Sequence, residues 1–413
     1  MQFHILSFEG PDAYARAGGI ASRITGLAES LAEHGCNTHL WFVGDPDLPG
    51  LESRERLHLH RWCQWISRSH RGGVYDGEDA KQTDYAASLP PFMVNEAMLP
   101  HLRAGGAAVV LAEEWHTVHA VLHLDWLLRQ AQVRHRVRIL WNANNVFGFD
   151  RIDWRRLAEA ATITTVSRYM KHLMWPLGVD ALVIPNGLSA DAFFPPDREA
   201  VAEIRRHHQG RLIVAKVARF DPDKRWLLAV ETMAELKRRG RKPLLIARGG
   251  VEAHGREVLE AAAAQGLTIR EIAGADEGVE SLVRVLLAAN GADVLHLTTP
   301  VGSEARRVLF RSADAVLANS GREPFGLVGL EAMAVGGIAC TGCTGEDYAV
   351  PGRNALVLQT SDPRECVNSL EALSRNPVKQ IAMRRTARAT AKLYSWREVL
   401  YRQLLPTLTL ADQ

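Results

Sequence analysis

The chain is short of three things, and each shortage removes a class of function. No apolar run approaches the roughly 20 residues that cross a bilayer, so a membrane-spanning role is not expected. The formal net charge is only +2, too balanced to suggest a nucleic-acid partner. It leaves peripheral contact with anionic lipid open but does not argue for it. The 5 cysteines are an odd number in a long chain, which fits a reducing cytoplasm better than a disulfide framework. Cys340 and Cys343 form a C-x-x-C, but no second pair supports a zinc site, so both read as structural thiols. His116, His119 and His123 share one helical spacing, yet no H-E-x-x-H accompanies them, and solvated or capped histidines are the commoner case. The opening M-Q-F-H-I-L-S-F-E-G lacks the basic region and apolar core of a signal peptide, so a cytoplasmic location is expected.

What is present is an α/β alternation. A chain of 413 residues with 47% hydrophobic content is globular and long enough for two domains. Residues Phe3 to Phe8 read as a strand. A-G-G-I-A-S then opens a helix with Ile20, Ile24, Leu27 and Leu31 on one face, and Thr38 to Val43 is a second strand. This strand, glycine loop, helix, strand unit begins a doubly wound sheet. The loop is not G-x-G-x-x-G and no acid ends the second strand cleanly, so a nicotinamide cofactor is disfavoured. Leu57 to Leu89 reads as an irregular excursion rich in aromatic and basic residues. It lines an acceptor pocket or covers the sheet edge, and the tryptophans Trp62 and Trp65 favour covering. Further strands are expected at Ala107–Ala112, Arg138–Trp141 and Ala161–Val166. After a linker near Pro195, Pro196 and Asp197, others follow at R-L-I-V-A-K-V-A-R-F, Leu244–Arg248, Ile269–Ile272 and Val294–Leu297.

One stretch organises the rest: G-R-E-P-F-G-L-V-G-L-E-A-M-A-V-G-G, Gly321 to Gly337. It follows the strand-like Ala313–Asn319. From Leu327 its apolar residues fall at helical spacing, so it reads as loop, then helix. A glycine-permitted turn into a helix N-terminus suits phosphate oxygens. The flanking carboxylates, Glu323 and Glu331, suit hydroxyls. Spacing alone leaves Glu331 equally readable as a first-turn glutamate favoured by the helix dipole, and Glu323 as a loop carboxylate.

The segment resembles the E-x7-E signature of the retaining glycosyltransferases of family 4, which have the GT-B fold. Other stretches are similar to that family as well. E-E-W-H at Glu113–His116 resembles H-D-W-H, with Glu113 where relatives have histidine. N-A-N-N resembles T-x-H-N, with Asn144 in place of histidine. V-S-R-Y-M-K, I-P-N-G and R-F-D-P-D-K follow the family pattern, as does the tail Y-S-W-R-E-V-L-Y.

The resemblance implies two Rossmann-like domains facing a central cleft, the first spanning 1–190 and completed by 378–413, the second spanning 200–377. It implies transfer of a hexose from a UDP-, GDP- or ADP-linked donor to the hydroxyl of a carbohydrate or small acceptor. Arg219 and Lys224 would hold the diphosphate, where charge grows as the glycosidic bond breaks. The loop Phe325, Gly326 and Leu327 would add donor contacts, partly from backbone N–H groups. Glu331 would bind the ribose and Glu323 the transferred sugar, and Gly18 and Gly19 would approach the diphosphate from the first domain. Either Glu113 or His116 would serve the sugar or acceptor. Neither metal nor cofactor is expected, and no D-x-D sits in a suitable loop. A disaccharide phosphorylase on the same fold, or a non-catalytic nucleotide-sugar or glycan binder, are the rival readings.

Overall fold

The computed structural model describes residues 1–342 and 345–410. Cys343, half of the C-x-x-C, therefore lies outside the described residues. The chain folds into two compact units, one comprising Met1–Gly187 with Trp396–Gln413, the other Leu188–Ser395.

The first unit is built on a sheet of β1 (Gln2–Leu6), β2 (Asn37–Val43), β3 (Leu51–Arg54), β4 (Leu57–Trp62), β5 (Ala108–Glu113), β6 (Val137–Ala143), β7 (Thr162–Thr165) and β8 (Leu182–Val183). Their order is β3-β4-β2-β1-β5-β6-β7-β8, parallel except for the β3–β4 pair. Strands β1 and β5 are buried along their length, as expected of a parallel sheet covered on both faces. On one face Phe3, Ile5, Leu40 and Phe42 pack with Ile24, Leu27 and Leu31 of the helix Gly19–Glu33. Trp396, Val399, Leu400 and Leu404 of the C-terminal segment complete that layer.

Two sequence expectations change here. The stretch from Leu57 is not irregular: β4 alternates buried and half-buried residues, and Glu78–Phe92 is a helix. Histidines at the half-buried positions and an arginine, Arg61, at a buried one hid the period of two. Trp62 does cover, packing at 5.2 Å on Phe92, whereas Trp65 is 67% exposed. The helix Pro377–Lys392 also stays with the second unit, since Met383 joins that unit's core and Arg384 donates to the carbonyls of Gly336 and Ala313. The return to the first unit begins at Trp396.

A ladder of histidines crosses the first sheet. His4, His39 and His58 are in register on β1, β2 and β4, with ring centroids 4.9 and 4.6 Å apart, and His60 stacks at 3.6 Å on Trp41. Burial, then mutual repulsion, lowers His39 to about 4 and His60 to about 3, and holds His4 well below its usual range. Groups with folded pKa below the unfolded value of 6.5 leave stability intact above that pH, and stability falls as the unfolded chain gains protons first. The thermal midpoint of the first unit is expected to drop between pH 7 and pH 4.5, read by circular dichroism at constant ionic strength. A midpoint flat over that range contradicts the ladder's neutrality.

The second unit has β9 (Leu212–Val217), β10 (Pro243–Arg248), β11 (Ile269–Ile272), β12 (Val294–Leu297), β13 (Ala315–Ala318), β14 (Ala339–Thr341) and β15 (Ala355–Val357), ordered β11-β12-β10-β9-β13-β14-β15 and all parallel. A helix at Arg198–His207, a stretch to which the sequence assigned no element, precedes β9 and is capped by Asp197 of the expected linker. In both units the order reverses beside the first strand, between β1 and β5 and between β9 and β13. In doubly wound sheets ligands collect at the carboxyl ends of the strands at such a switch point. No helix of the described residues is long and apolar enough to cross a membrane.

Candidate active site

The second unit places the expected donor residues around its switch point. β9 ends at Val217, and the next loop carries Arg219, which is exposed, and a single 3-10 turn at Pro222–Lys224. Asp221 caps that turn by accepting from the Asp223 N–H. Arg225 then takes a left-handed φ of 53° before the helix Trp226–Arg238. A non-glycine residue held there stores strain, a feature concentrated at functional loops. Across the switch point β13 runs out into the loop 319–326, tied down by the Gly321 N–H donating to the Asp223 carbonyl at 2.7 Å. The two loops thus bring Lys224 Nζ to 3.5 Å from Glu323 Oε2, both half-buried.

Gly326, at φ 81°, turns the chain into the helix Leu327–Ala334, whose first-turn N–H groups receive no side-chain cap from it. Glycine is required there by the left-handed φ. Gly329 is required by packing: a Cβ would lie 2.6 Å from the Tyr348 hydroxyl, which donates to the Gly326 carbonyl. Phe325 sits differently from the expectation that it contacts a donor. Its ring is buried against Tyr348 and Tyr394, leaving only its backbone to a ligand. Glu331 points its carboxylate at Arg306, 3.4 Å away. Dehydration raises its pKa, Arg306 opposes that, and Asp191 and Glu323 add to it. Arg306 was not singled out from the sequence. Nor was Lys216, buried inside β9, whose Nζ donates to Asn319 Oδ1 at 2.7 Å. Its signal was a lone cation in the apolar run L-I-V-A-K-V-A.

The first unit gathers the others, again at its switch point. Gly18 and Gly19 open the helix Gly19–Glu33, and a Cβ on either would meet nothing within 4 Å. Their loop faces open space, but its N-terminal donors are partly taken. Glu9, after β1, accepts from the N–H groups of Gly18 and Ala21, both at 3.0 Å, and from the Tyr75 hydroxyl at 2.7 Å. An anion approaching Gly18 meets a resident carboxylate.

Glu113, ending β5, is buried. It accepts from Arg23 Nε at 3.2 Å, Asn142 Nδ2 at 2.8 Å and Asn144 Nδ2 at 2.7 Å, and Arg23 also donates to Asn186 at 2.7 Å. A cavity of about 20 Å³ beside Arg23, Glu113 and Asn142 has room for one water. Glu114 follows at φ 69°, and burial pushes its carboxyl up to about 8 although it accepts from the Asn144 N–H. His116 bonds Glu78 at 2.6 Å and stacks on Phe8 at 4.4 Å. Burial lowers its pKa, opposed by Glu78, so the ring is neutral at pH 7. Glu113 is thus locked in a polar network and His116 in an aromatic one. His119 is exposed, and His123 bonds the Ala86 carbonyl. The three histidines do not converge.

Two doubly wound sheets with this strand order are the GT-B architecture. Solved structures agree over the full length: sucrose-phosphate synthase from Thermosynechococcus elongatus (TM-score 0.69, 17% identity, all of both chains) and the catalytic domain of starch synthase IV from Arabidopsis thaliana bound to ADP and acarbose (TM-score 0.69, 15% identity, 99% of both). At such identities the likeness is one of fold. Residues 197–391, most of the second unit, match the family described as Glycosyl transferases group 1. Among curated relatives, the D-inositol 3-phosphate glycosyltransferase of Streptomyces avermitilis is 28% identical over 243 residues, 57% of this chain and 48% of the relative. That of an Arthrobacter species is 34% identical over 129 residues, 30% and 31% of the two chains. The chain spans about half the length of the first of these, and less of the second.

Proposed function

We propose that the protein is a retaining hexosyltransferase that moves a hexose from a nucleoside diphosphate sugar to an acceptor hydroxyl in the cytoplasm. One observation carries this reading: a cation and a carboxylate, Lys224 and Glu323, meet at the switch point of a unit that matches the group 1 family, beside a helix N-terminus without a side-chain cap. Lys224 and the exposed Arg219 neutralise the departing diphosphate, the Gly326–Leu327 turn adds backbone N–H groups, and the two glutamates take hydroxyls. Glu331 binds the ribose, with Arg306 steadying its carboxylate, and Glu323 binds the transferred sugar. The leaving phosphate accepts the acceptor's proton as the new bond forms on the same face, so the step asks for neither a protein nucleophile nor a metal. In the first unit His116 or Glu113 serves the acceptor side. The relatives' name makes a phosphorylated polyol one acceptor worth including.

The deciding experiment is a thermal-shift screen with UDP, GDP and ADP and their sugars, followed by product analysis with the favoured donor. A ligand that binds only the folded state raises the midpoint. No shift with any of the three, and no transfer, ends this reading. The anomeric configuration of the product, read by NMR, tests retention separately. Gly19 offers a sharper check on the first unit. Because its Cβ would meet nothing, Gly19→Ala is expected to fold normally yet raise the donor KM about tenfold, as a small displacement of a ligand does. An unchanged KM removes the glycine loop from the donor site.

A further inference from the structure

Lys216 has no part in the roles assigned above, yet its position is costly. Along β9 the side chains of Leu212, Val214 and Lys216 fall on one face, and the first two belong to an apolar cluster with Trp226, Met233, Cys340 and Cys366. The lysine is 1% exposed, its Nζ lies 5.3 Å from the centre of the Trp226 ring, and its side-chain acceptor is a neutral amide, Asn319 Oδ1. An ammonium buried on those terms is expensive, and a leucine of similar volume would fill the layer without the charge. What the charge does is found above it. Asn319 is the first residue after β13 and begins the loop that carries Glu323. The titratable groups whose charge acts on Lys216 are Glu323 and Lys224 on the two loops, with the thiols of Cys340 on β14 and Cys366 on the helix Pro363–Ser374.

We propose that Lys216 is a positioning residue of the donor site: it anchors Asn319 at the base of the loop and supplies Glu323 with a counter-charge from below once the donor is bound. The inference rests on the donor reading above. In this structure Glu323 has Lys224 as its partner at 3.5 Å. When Lys224 turns to a diphosphate, Glu323 loses that ion pair beside new negative charge, and a protonated Lys216 offsets the loss. Burial lowers Lys216 to about 7, with Glu323 raising it and Lys224 opposing. Drawing Lys224 onto phosphate weakens that opposition and adds negative charge nearby, so Lys216 gains proton affinity. At pH 8, where most of the empty protein has lost this proton and the nucleotide is fully ionised, donor binding takes a proton up.

The test is calorimetry of UDP, GDP and ADP binding to the full chain at pH 8, in HEPES and in Tris, whose ionisation heats differ. The expected result is an uptake of roughly half a proton or more per nucleotide in the wild type and none in Lys216→Met. In that variant kcat falls on the order of 100-fold with the donor KM little changed, and the alkaline limb of the pH–rate profile disappears. A merely structural lysine would lower the melting temperature without moving the proton count. Nucleotide binding with equal uptake in both proteins overturns the role of Lys216 alone, whereas no nucleotide binding in the wild type overturns the donor reading and this inference with it. Should Lys216→Met fail to fold, the wild type decides: binding without proton uptake at pH 8 is fatal to the proposal.

Discussion

Lys224→Ala is expected to abolish transfer while leaving the fold intact. Removing one preorganised group that stabilises growing charge lowers turnover on the order of 100- to 1,000-fold. Here the charge grows on a diphosphate, and Arg219, the other cation assigned to it, is exposed and screened by water. The structural cost is small by contrast. Lys224 sits in a 3-10 turn fixed by the Asp221 cap and, among the described residues, makes a single ion pair, to Glu323, with both partners half-buried. Pairs of that exposure contribute about 1 kcal/mol or less, so the melting temperature should move by no more than a few degrees. Steady-state rates with the donor found by thermal shift, beside a melt of the same preparation, provide the check. Unaltered turnover in a folded variant means that the diphosphate lies elsewhere.

The sequence carried the frame of this site further than its supports. Helix and loop at Gly321–Gly337 were legible because a left-handed glycine at Gly326, a close-packed Gly329 and apolar residues at helical spacing are local requirements, met by residues adjacent in the chain. The Arg219–Lys224 loop was legible for the same reason. What escaped depends on tertiary partners. Arg23 lies on the helix Gly19–Glu33 one residue from Ile24, and nothing local says that it turns inward to Glu113, 90 residues away. Lys216 reads as a break in an apolar strand until Asn319 is brought beside it from 103 residues on. β4 went unseen because its alternation is written in histidine and arginine, whose burial here is offset by stacking and by the Arg61–Asp12 ion pair. Phe325 was legible only in part: its motif position suggests ligand contact, and Tyr348 and Tyr394 show that its ring is interior, leaving the backbone to that role.

Glu113→Gln is expected to be the most destabilising conservative change in the first unit. The carboxylate accepts from three donors, Arg23 Nε, Asn142 Nδ2 and Asn144 Nδ2, none of which has ready access to water. A glutamine amide offers one acceptor oxygen and two N–H groups. One of its ends must therefore face a donor with a donor, and Arg23, 4% exposed, is left as an uncompensated buried cation. Breaking a buried pair from one side costs about 3–5 kcal/mol, which for a unit of this size lowers the midpoint by roughly 10 °C. Arg23→Met should cost a similar amount, and the double variant Arg23→Met, Glu113→Leu less than either single change, because neither charge is then stranded. His116→Ala separates stability from chemistry. It loses stacking on Phe8 and the bond to Glu78, and should depress acceptor turnover more than the midpoint. Melts and rates of all four proteins distinguish the roles. If neither Glu113→Gln nor His116→Ala changes stability or activity, the E-E-W-H turn is scaffold and the acceptor is held by other residues.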